Sequence, residues 1–543
     1  MSSSRCAAPG HRSPSGSPPT PPRRSAPPWR ADPATRHHEE TTVQTTFAFD
    51  GLRVPANVSG PPRRTRGGWI VPAGPVALLH PFGPTAEFYR HGWNSWSPSG
   101  WTRLDGDTIG IKDSPERLLT ADDATNETPH AHSGSAVGAV TSPDGGTLLV
   151  GSLGLGTPRV GADGNVLWAR SEHDDAEWFV AHGTEQDVFA AYADQVAERL
   201  GRRTARAGTV WSSWYSYYED ITEERIARAA ADLEGYPVDV FQMDDGWEPV
   251  VGDWTAGPDF PSGMAATART IARHAFRPGI WLAPLIALPG STIATERPDL
   301  LVAGDDGRPL VTGHNWGSHY HSLDTTHPEV LDHLRGVFDR ITADGYSYLK
   351  LDFMYAGAVG GHRHVDLPRE QAYRQAIEHV RATVGDDVYL LGCGVPMIPS
   401  VGVFNGARVG PDVAPFWDNA ERVGDPSGEG ARNALVSSVN RVWMRRLYEV
   451  DPDSVYFRSE RNLLGPDERR ALQDTAAVLG FRSMSDPVDW LRPEERAEAA
   501  DWLGGTAVVE QLGRYVFRVD DRVVDLTPSV TGERAVDAAS FIG

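Results

Sequence analysis

Tyr348-Leu-Lys350-Leu-Asp352-Phe-Met-Tyr355 reads as a strand that ends in chemistry. Alternate side chains of a strand share a face, so Tyr348, Lys350 and Asp352 point one way and Leu349, Leu351 and Phe353 the other. A lysine and an aspartate on the inner face at the end of a buried strand carry a desolvation penalty that stability alone does not justify. The pair therefore marks a candidate site, with a buried structural ion pair as the competing reading. Outward from it, residues 210–215, 238–242, 279–286, 388–393, 407–409, 447–450 and 481–483 supply seven more strand candidates. Helical periodicity follows over 222–233, 265–274, 327–343, 368–384, 431–444, 467–479 and 493–502. Eight strands, most followed by a helix, over residues 206–503 predict a (β/α)8 TIM barrel. A doubly wound sheet is the rival, but no Gly-x-Gly-x-x-Gly or phosphate loop follows any of the strands.

The flanks differ in pattern. Residues 41–205 alternate over short stretches broken by Gly, Pro and Asp, which predicts an N-terminal antiparallel β-sandwich. A linker helix over 187–203 closes it, with Phe189, Tyr192, Val196 and Leu200 on one side. Inside the sandwich, His91-Gly-Trp93-Asn-Ser-Trp96-Ser-Pro-Ser-Gly-Trp101 places three tryptophans in a turn-rich segment, either as sandwich core or as flat surfaces for a sugar. Residues 504–543 hold three short strand candidates, a small C-terminal β appendage. Residues 1–40 are rich in Ser, Pro and Arg, and predict a disordered tail or an overcalled start.

The formal charge of -22 over 543 residues excludes nucleic acid and anionic membrane surfaces, which reward clustered Lys and Arg. Cys6 and Cys393 are the only cysteines, so neither a disulfide framework nor a cysteine-ligated zinc site is available, and a reducing compartment fits. There is no apolar run of about 18 residues and no short apolar signal core, which makes the cytoplasm the expected compartment and leaves a homo-oligomer open. The sequons at Asn57 and Asn126 carry no weight in that setting.

Barrel active sites sit at the C-terminal ends of the strands. Those ends carry Trp214, Asp244-Asp245-Gly-Trp247, Trp281, Lys350 and Asp352, Cys393, Arg408 and Asp412, Asp451 and Asp453, and Asp486. Carboxylates accept from hydroxyls and aromatic faces cover ring C–H groups, a set suited to a sugar. Two of the carboxyl groups can then cleave a glycosidic bond. His319-Tyr-His321 and His362-Arg-His364 have the form of metal-binding pairs, but both fall in expected loops away from the strand ends, so neither a metal nor another cofactor is expected.

Asp244-Asp245-Gly-Trp247, Tyr348-Leu-Lys350-Leu-Asp352, Gly392-Cys393-Gly394 and Arg408-Val-Gly-Pro-Asp412, in that order, resemble glycoside hydrolase family 36, the α-galactosidase and raffinose synthase group. The resemblance runs from about residue 41 onward and includes Trp93-Asn-Ser-Trp96, similar to the loop that the family's β-domain sends to the barrel mouth. It implies a retaining hydrolase for terminal α-linked galactose, with Asp352 as nucleophile and Asp412 as acid and base. It also implies Asp244 and Asp245 as hydroxyl acceptors and Arg408 as a hydroxyl or carboxylate holder. Trp247, Trp214 and Trp281 are expected to wall the pocket, Lys350 to favour the ionised form of Asp352, and a carboxylate such as Asp418 to keep Asp412 protonated. The chain departs from the family at Met354, where many members carry Asn, and at Cys393-Gly-Val-Pro396, where many carry a Cys-Ser-x-Gly-Gly segment. A raffinose-synthase-like galactosyltransferase, a hydrolase for another α-linked or N-acetylated sugar, and a non-catalytic sugar-binding barrel are the alternatives.

Overall fold

The computed structural model describes residues 43–109, 131–173, 176–419 and 424–532; the expected tail over 1–40 lies outside them. Two antiparallel sheets of six and seven strands form the N-terminal layers. In Leu52–Val58 the residues Val54, Ala56 and Val58 turn inward in strict alternation, and they meet Phe88, Leu148 and Trp178 of the facing sheet in one core. The linker helix, Glu185–Leu200, starts on Thr184, whose hydroxyl accepts from the Asp187 amide, and stops at Gly201 with φ 82°. Val188, Phe189, Tyr192 and Val196 form its buried face.

Eight parallel strands follow in one sheet: Thr209–Ser212, Val240–Met243, Arg277–Leu282, Tyr348–Leu351, Tyr389–Gly392, Gly406–Arg408, Glu449–Asp451 and Arg482–Met484. The first pairs with the eighth. The gap between seventh and eighth is closed by one parallel bridge, Val455 to Met484, with the Val455 amide 2.9 Å from the Ser483 carbonyl oxygen. The barrel is therefore nearly closed. The inner face of the fourth strand is as the alternation requires: Tyr348 packs with Val210, Val240, Tyr389 and Leu391, its ring parallel to that of Tyr389 at 5.1 Å.

Two strand ends differ from the sequence reading. The third strand stops at Leu282 rather than running to 286, because Pro284 has no amide to give a ladder. The chain then makes an excursion in which Ile286–Ala287, Val311–Asn315 and Ser318–Ser322 build a small antiparallel sheet. His319 and His321 lie on a strand of that sheet, not in a loop. The first barrel strand ends at Ser212, and Trp214–Tyr217 is a helical turn. Beyond the barrel, Val509–Gln511, Val516–Val519 and Arg522–Asp525 form the C-terminal sheet. Among the described residues no helix is long and apolar enough to cross a membrane.

One buried cation ties sandwich to barrel. Arg441, with no exposed surface, donates to the carbonyl oxygens of Gly92, Asn94, Ser95 and Ser97 from the sandwich and of Val409 from the barrel, at 2.7–3.1 Å. The same sandwich loop pairs with the segment after the fifth barrel strand: Ser95 N lies 3.1 Å from the Val395 carbonyl and Met397 N 2.9 Å from that of Trp93. Arg441→Met removes the charge and leaves these carbonyls without their donor. It should lower unfolding free energy by about 3–5 kcal/mol, read as a fall in Tm.

Candidate active site

The strand ends bring the predicted polar residues to one mouth. Lys350 and Asp244 meet at 2.8 Å, both almost fully buried. Gln242 Nε2 also donates to Asp244 Oδ2, and Asp244 N donates to Ser213 Oγ at 2.9 Å. The expected local pairing of Lys350 with Asp352 is thus replaced by a bond that reaches past the third strand to the end of the second. Side chains two apart on a strand are nearly 7 Å apart at their roots, whereas the lysine spans to Asp244 without strain. Burial pulls the Lys350 ammonium down, but Asp244 and then Asp352 outweigh it, and the group is held charged above its usual range.

Asp352 is fixed from two sides: Oδ1 accepts the Phe353 amide at 2.8 Å and Oδ2 accepts Trp281 Nε1 at 3.1 Å. The backbone bond forms because Phe353 is left-handed, with φ 54°. For a bulky residue that conformation is rare, and it is found where surrounding structure enforces it. Here the enforcing structure is aromatic: the Phe353 ring packs on Trp96 and Trp316 at 5.2 Å each and on Tyr320 at 5.5 Å.

Asp412 keeps 39% of its side chain exposed and rests 3.2 Å from Arg408. Arg408 also grips Asp453 at 2.6 Å and Asp451 at 3.1 Å, so it orients three carboxylates at once. Asp453 in turn accepts from the Tyr215 hydroxyl and from Val413 N. The crowded surroundings push the Asp412 carboxyl up to about 7; burial is the main cause, Arg408 opposes it, and the charges of Asp453 and Asp352 add to it. Asp418 is not that neighbour. Its carboxylate faces Arg432 at 3.8 Å.

The tryptophans divide. Trp96 reaches the mouth, against Phe353 and Tyr355. Trp214 is half-buried against Tyr218. Trp281 holds Asp352 through its N–H. Trp247 has no exposed surface and gives its N–H to the Trp281 carbonyl at 2.9 Å, so it backs Trp281 instead of walling the pocket. Trp93 is buried beside the barrel helix Arg369–Val384, its N–H on Glu370 at 3.1 Å, and does not face the mouth. Cys393 is also fully buried, close enough to Asp352 that burial and that charge hold its thiol protonated.

Two residues were missed in the sequence. Trp316 caps the excursion hairpin, where Asn315 and Ser318 pair across a two-residue turn with φ 50° at Trp316 and 66° at Gly317. Its indole N–H donates to Asp245 Oδ2 at 2.8 Å. The signal was Asn-Trp-Gly-Ser between two alternating runs, a type I′ hairpin with tryptophan where Asn or Asp is usual. The second is Glu248, hydrogen-bonded to Asp245. Burial, then the Asp245 charge, holds Glu248 well above the carboxylate range, and Asp245 itself is pushed up to about 6 mainly by burial. Trp316→Phe keeps the packing and deletes one donor to a buried carboxylate. If Asp245 contacts substrate, KM should rise roughly 10-fold with a smaller change in kcat, as steady-state kinetics would show.

His321 is committed to the Leu310 carbonyl and His362 to Asp305. Among the described residues no group of three or more His, Cys, Asp or Glu is placed to hold a metal ion.

The Melibiase family model matches residues 183–381. A probable α-galactosidase C of Aspergillus flavus is 32% identical over 165 residues, 26% of this chain and 21% of that protein. The α-galactosidase AgaA of Geobacillus stearothermophilus is 23% identical over 180 residues, 32% of this chain and 24% of that one. The matched stretches thus span a quarter or less of these relatives. In three dimensions the α-galactosidase TtGalA of Thermus thermophilus, solved with p-nitrophenyl α-D-galactopyranoside, superposes with a TM-score of 0.84 at 38% identity, covering 90% of this chain and 100% of that one. The AgaA crystal structure, at 13% identity and a TM-score of 0.56, shares the fold. With the whole of the Thermus chain matched at that identity, and the motif order from Asp244 to Asp412 gathered at one barrel mouth, the chain belongs to the melibiase family, the α-galactosidases of the glycoside hydrolase family 36 type.

Proposed function

We propose that the protein hydrolyses terminal α-linked galactose from galactosides and oligosaccharides with net retention. Asp352 attacks C1 as Asp412 gives its proton to the glycosidic oxygen; the C1–O bond breaks, the aglycone leaves as an alcohol, and a galactosyl ester of Asp352 remains. Asp412, now a base, takes a proton from water, whose oxygen attacks C1 and frees Asp352. The observation that carries this reading is the contrast between the two groups. Asp352 is fixed by two N–H donors beside a charged lysine, whereas Asp412 is pushed up to about 7 and is partly exposed. Asp244 and Asp245 are the hydroxyl acceptors in this reading, Trp96 and Trp316 the apolar walls, and the buried Trp281 the group that holds Asp352. Catalysis then belongs to residues 206–503, with the sandwich, 41–205, supplying Trp96.

The substrate assignment draws on relatives: TtGalA is solved with stachyose as well as with the nitrophenyl galactoside. Purified protein should release p-nitrophenol from p-nitrophenyl α-galactoside, and NMR should show α-galactose as the first-formed anomer. A β-galactose first product would overturn retention, and folded protein that binds without turnover would leave only a sugar-binding barrel. Galactosyl transfer to sucrose in place of water would shift the reading to the raffinose synthase type. The two-cysteine composition supports a reducing, cytoplasmic setting.

A further inference from the structure

The other end of the barrel carries an unrelated feature. Residues 202–206 lead from the linker helix into the first strand, and the 3-10 turn Val442–Arg446 leads into the seventh. Both segments therefore lie at the N-terminal ends of the strands, away from Asp352. Between them is a cavity of about 290 Å³ lined by Arg202, Arg203, Arg206, Arg445 and Arg446, with Glu449 as its one carboxylate. In a chain of net charge -22 this is a local concentration of the opposite sign.

The arginines are not all matched. Arg203 pairs with Asp386 at 2.8 Å, Arg446 with Asp194 at 2.9 Å, and Arg206 with Glu449 at 3.3 Å. Glu449 is already engaged by the Tyr389 hydroxyl and the Ala207 amide. Among the described residues Arg202 and Arg445 have no carboxylate partner; Arg445 holds only the Val478 carbonyl, at 2.7 Å. Nη2 of Arg445 and Nη1 of Arg206 both converge within 4.0 Å of the position a side chain would take at Gly480, and the charge of Arg206 adds to burial in lowering the Arg445 guanidinium. Cations gathered in a concave site repel one another, and the repulsion is relieved by an anion that accepts from several of them. Guanidinium forks fit phosphate oxygens in pairs. The volume lies at the small end of ligand pockets, sufficient for phosphate or a small phosphate ester.

We propose that this cavity is an anion site for phosphate, free or as the monoester of a small sugar, separate from the galactoside site. A bound phosphate bridges the linker to the seventh strand and stabilises the folded chain. The test is thermal unfolding and calorimetry of the full chain with inorganic phosphate and, in a second arm, glucose 6-phosphate, each against sodium chloride at matched ionic strength. The expected result is a saturable rise in Tm of roughly 2–4 °C. A larger effect at equal concentration in one arm tells which form the site prefers. Arg202→Gln, which breaks no bond among the described residues, should reduce the shift, and Arg202→Gln with Arg445→Gln should abolish it. Turnover of p-nitrophenyl α-galactoside without phosphate should be unchanged in both. No saturable shift, a shift equalled by chloride, or one that survives the double substitution would overturn the proposal. So would a double variant that sediments as a smaller species while phosphate has no effect, since the arginines would then serve an acidic surface of a second copy.

Discussion

Asp352→Gly is expected to lower kcat on p-nitrophenyl α-galactoside by about 10⁴-fold or more while leaving the thermal unfolding transition close to that of the parent. The side chain accepts two hydrogen bonds, from the Phe353 amide and from Trp281, and these are the bonds that the truncation removes. The left-handed Phe353 remains pinned by Trp96, Trp316 and Tyr320. Folding and turnover should therefore separate. The truncation also leaves room for a small anion where the carboxylate stood. Added azide should restore release of p-nitrophenol, its nitrogen forming the bond to C1 from the face opposite the departing phenolate, and the product should be β-galactosyl azide. A variant that keeps roughly a tenth of the parent rate, or one that azide converts to the α-azide, would take the nucleophile's role from Asp352.

The barrel was legible because most strands are short apolar runs followed by an amphipathic helix, and because inward positions alternate with outward ones. Lys350 and Asp352 declared themselves as charges on such a face. What stayed hidden depends on contacts that no local pattern encodes. Tryptophan as a residue type does not say which way its ring turns: Trp96 meets Phe353, while Trp93, three residues earlier, is drawn to Glu370. Lys350 reaches Asp244 on another strand instead of its neighbour on its own. The excursion between third and fourth strands was invisible because its strands are short and carry His, Asn and Gly, so Trp316 at its tip could not be placed. Glu248 reads as a surface residue and becomes a buried acid only when folding sets it against Asp245.

Asp412→Ala should divide substrates by leaving group. For stachyose or another galactoside with an alkyl aglycone, departure needs a proton, and the loss in kcat/KM should reach about 10³-fold. For p-nitrophenyl α-galactoside the phenolate departs unaided, so glycosylation should proceed nearly as in the parent. Deglycosylation, deprived of its base, then becomes slow, and a burst of p-nitrophenol followed by a low steady rate is expected. The pH profile gives an independent reading of the same group. A carboxyl raised to about 7 is protonated below that pH and loses its proton above it. For the parent, kcat/KM on the alkyl galactoside should accordingly fall as pH rises through about 7, because the acid needed for leaving-group departure is then ionised. That alkaline limb should vanish in Asp412→Ala, whose remaining activity has no such acid to lose. Equal losses on both substrates, or an alkaline limb that persists in the variant, would move the acid's role away from Asp412. Arg408 would then be holding Asp412 as structure, one of three carboxylates on a single guanidinium, and not as the proton donor of the reaction.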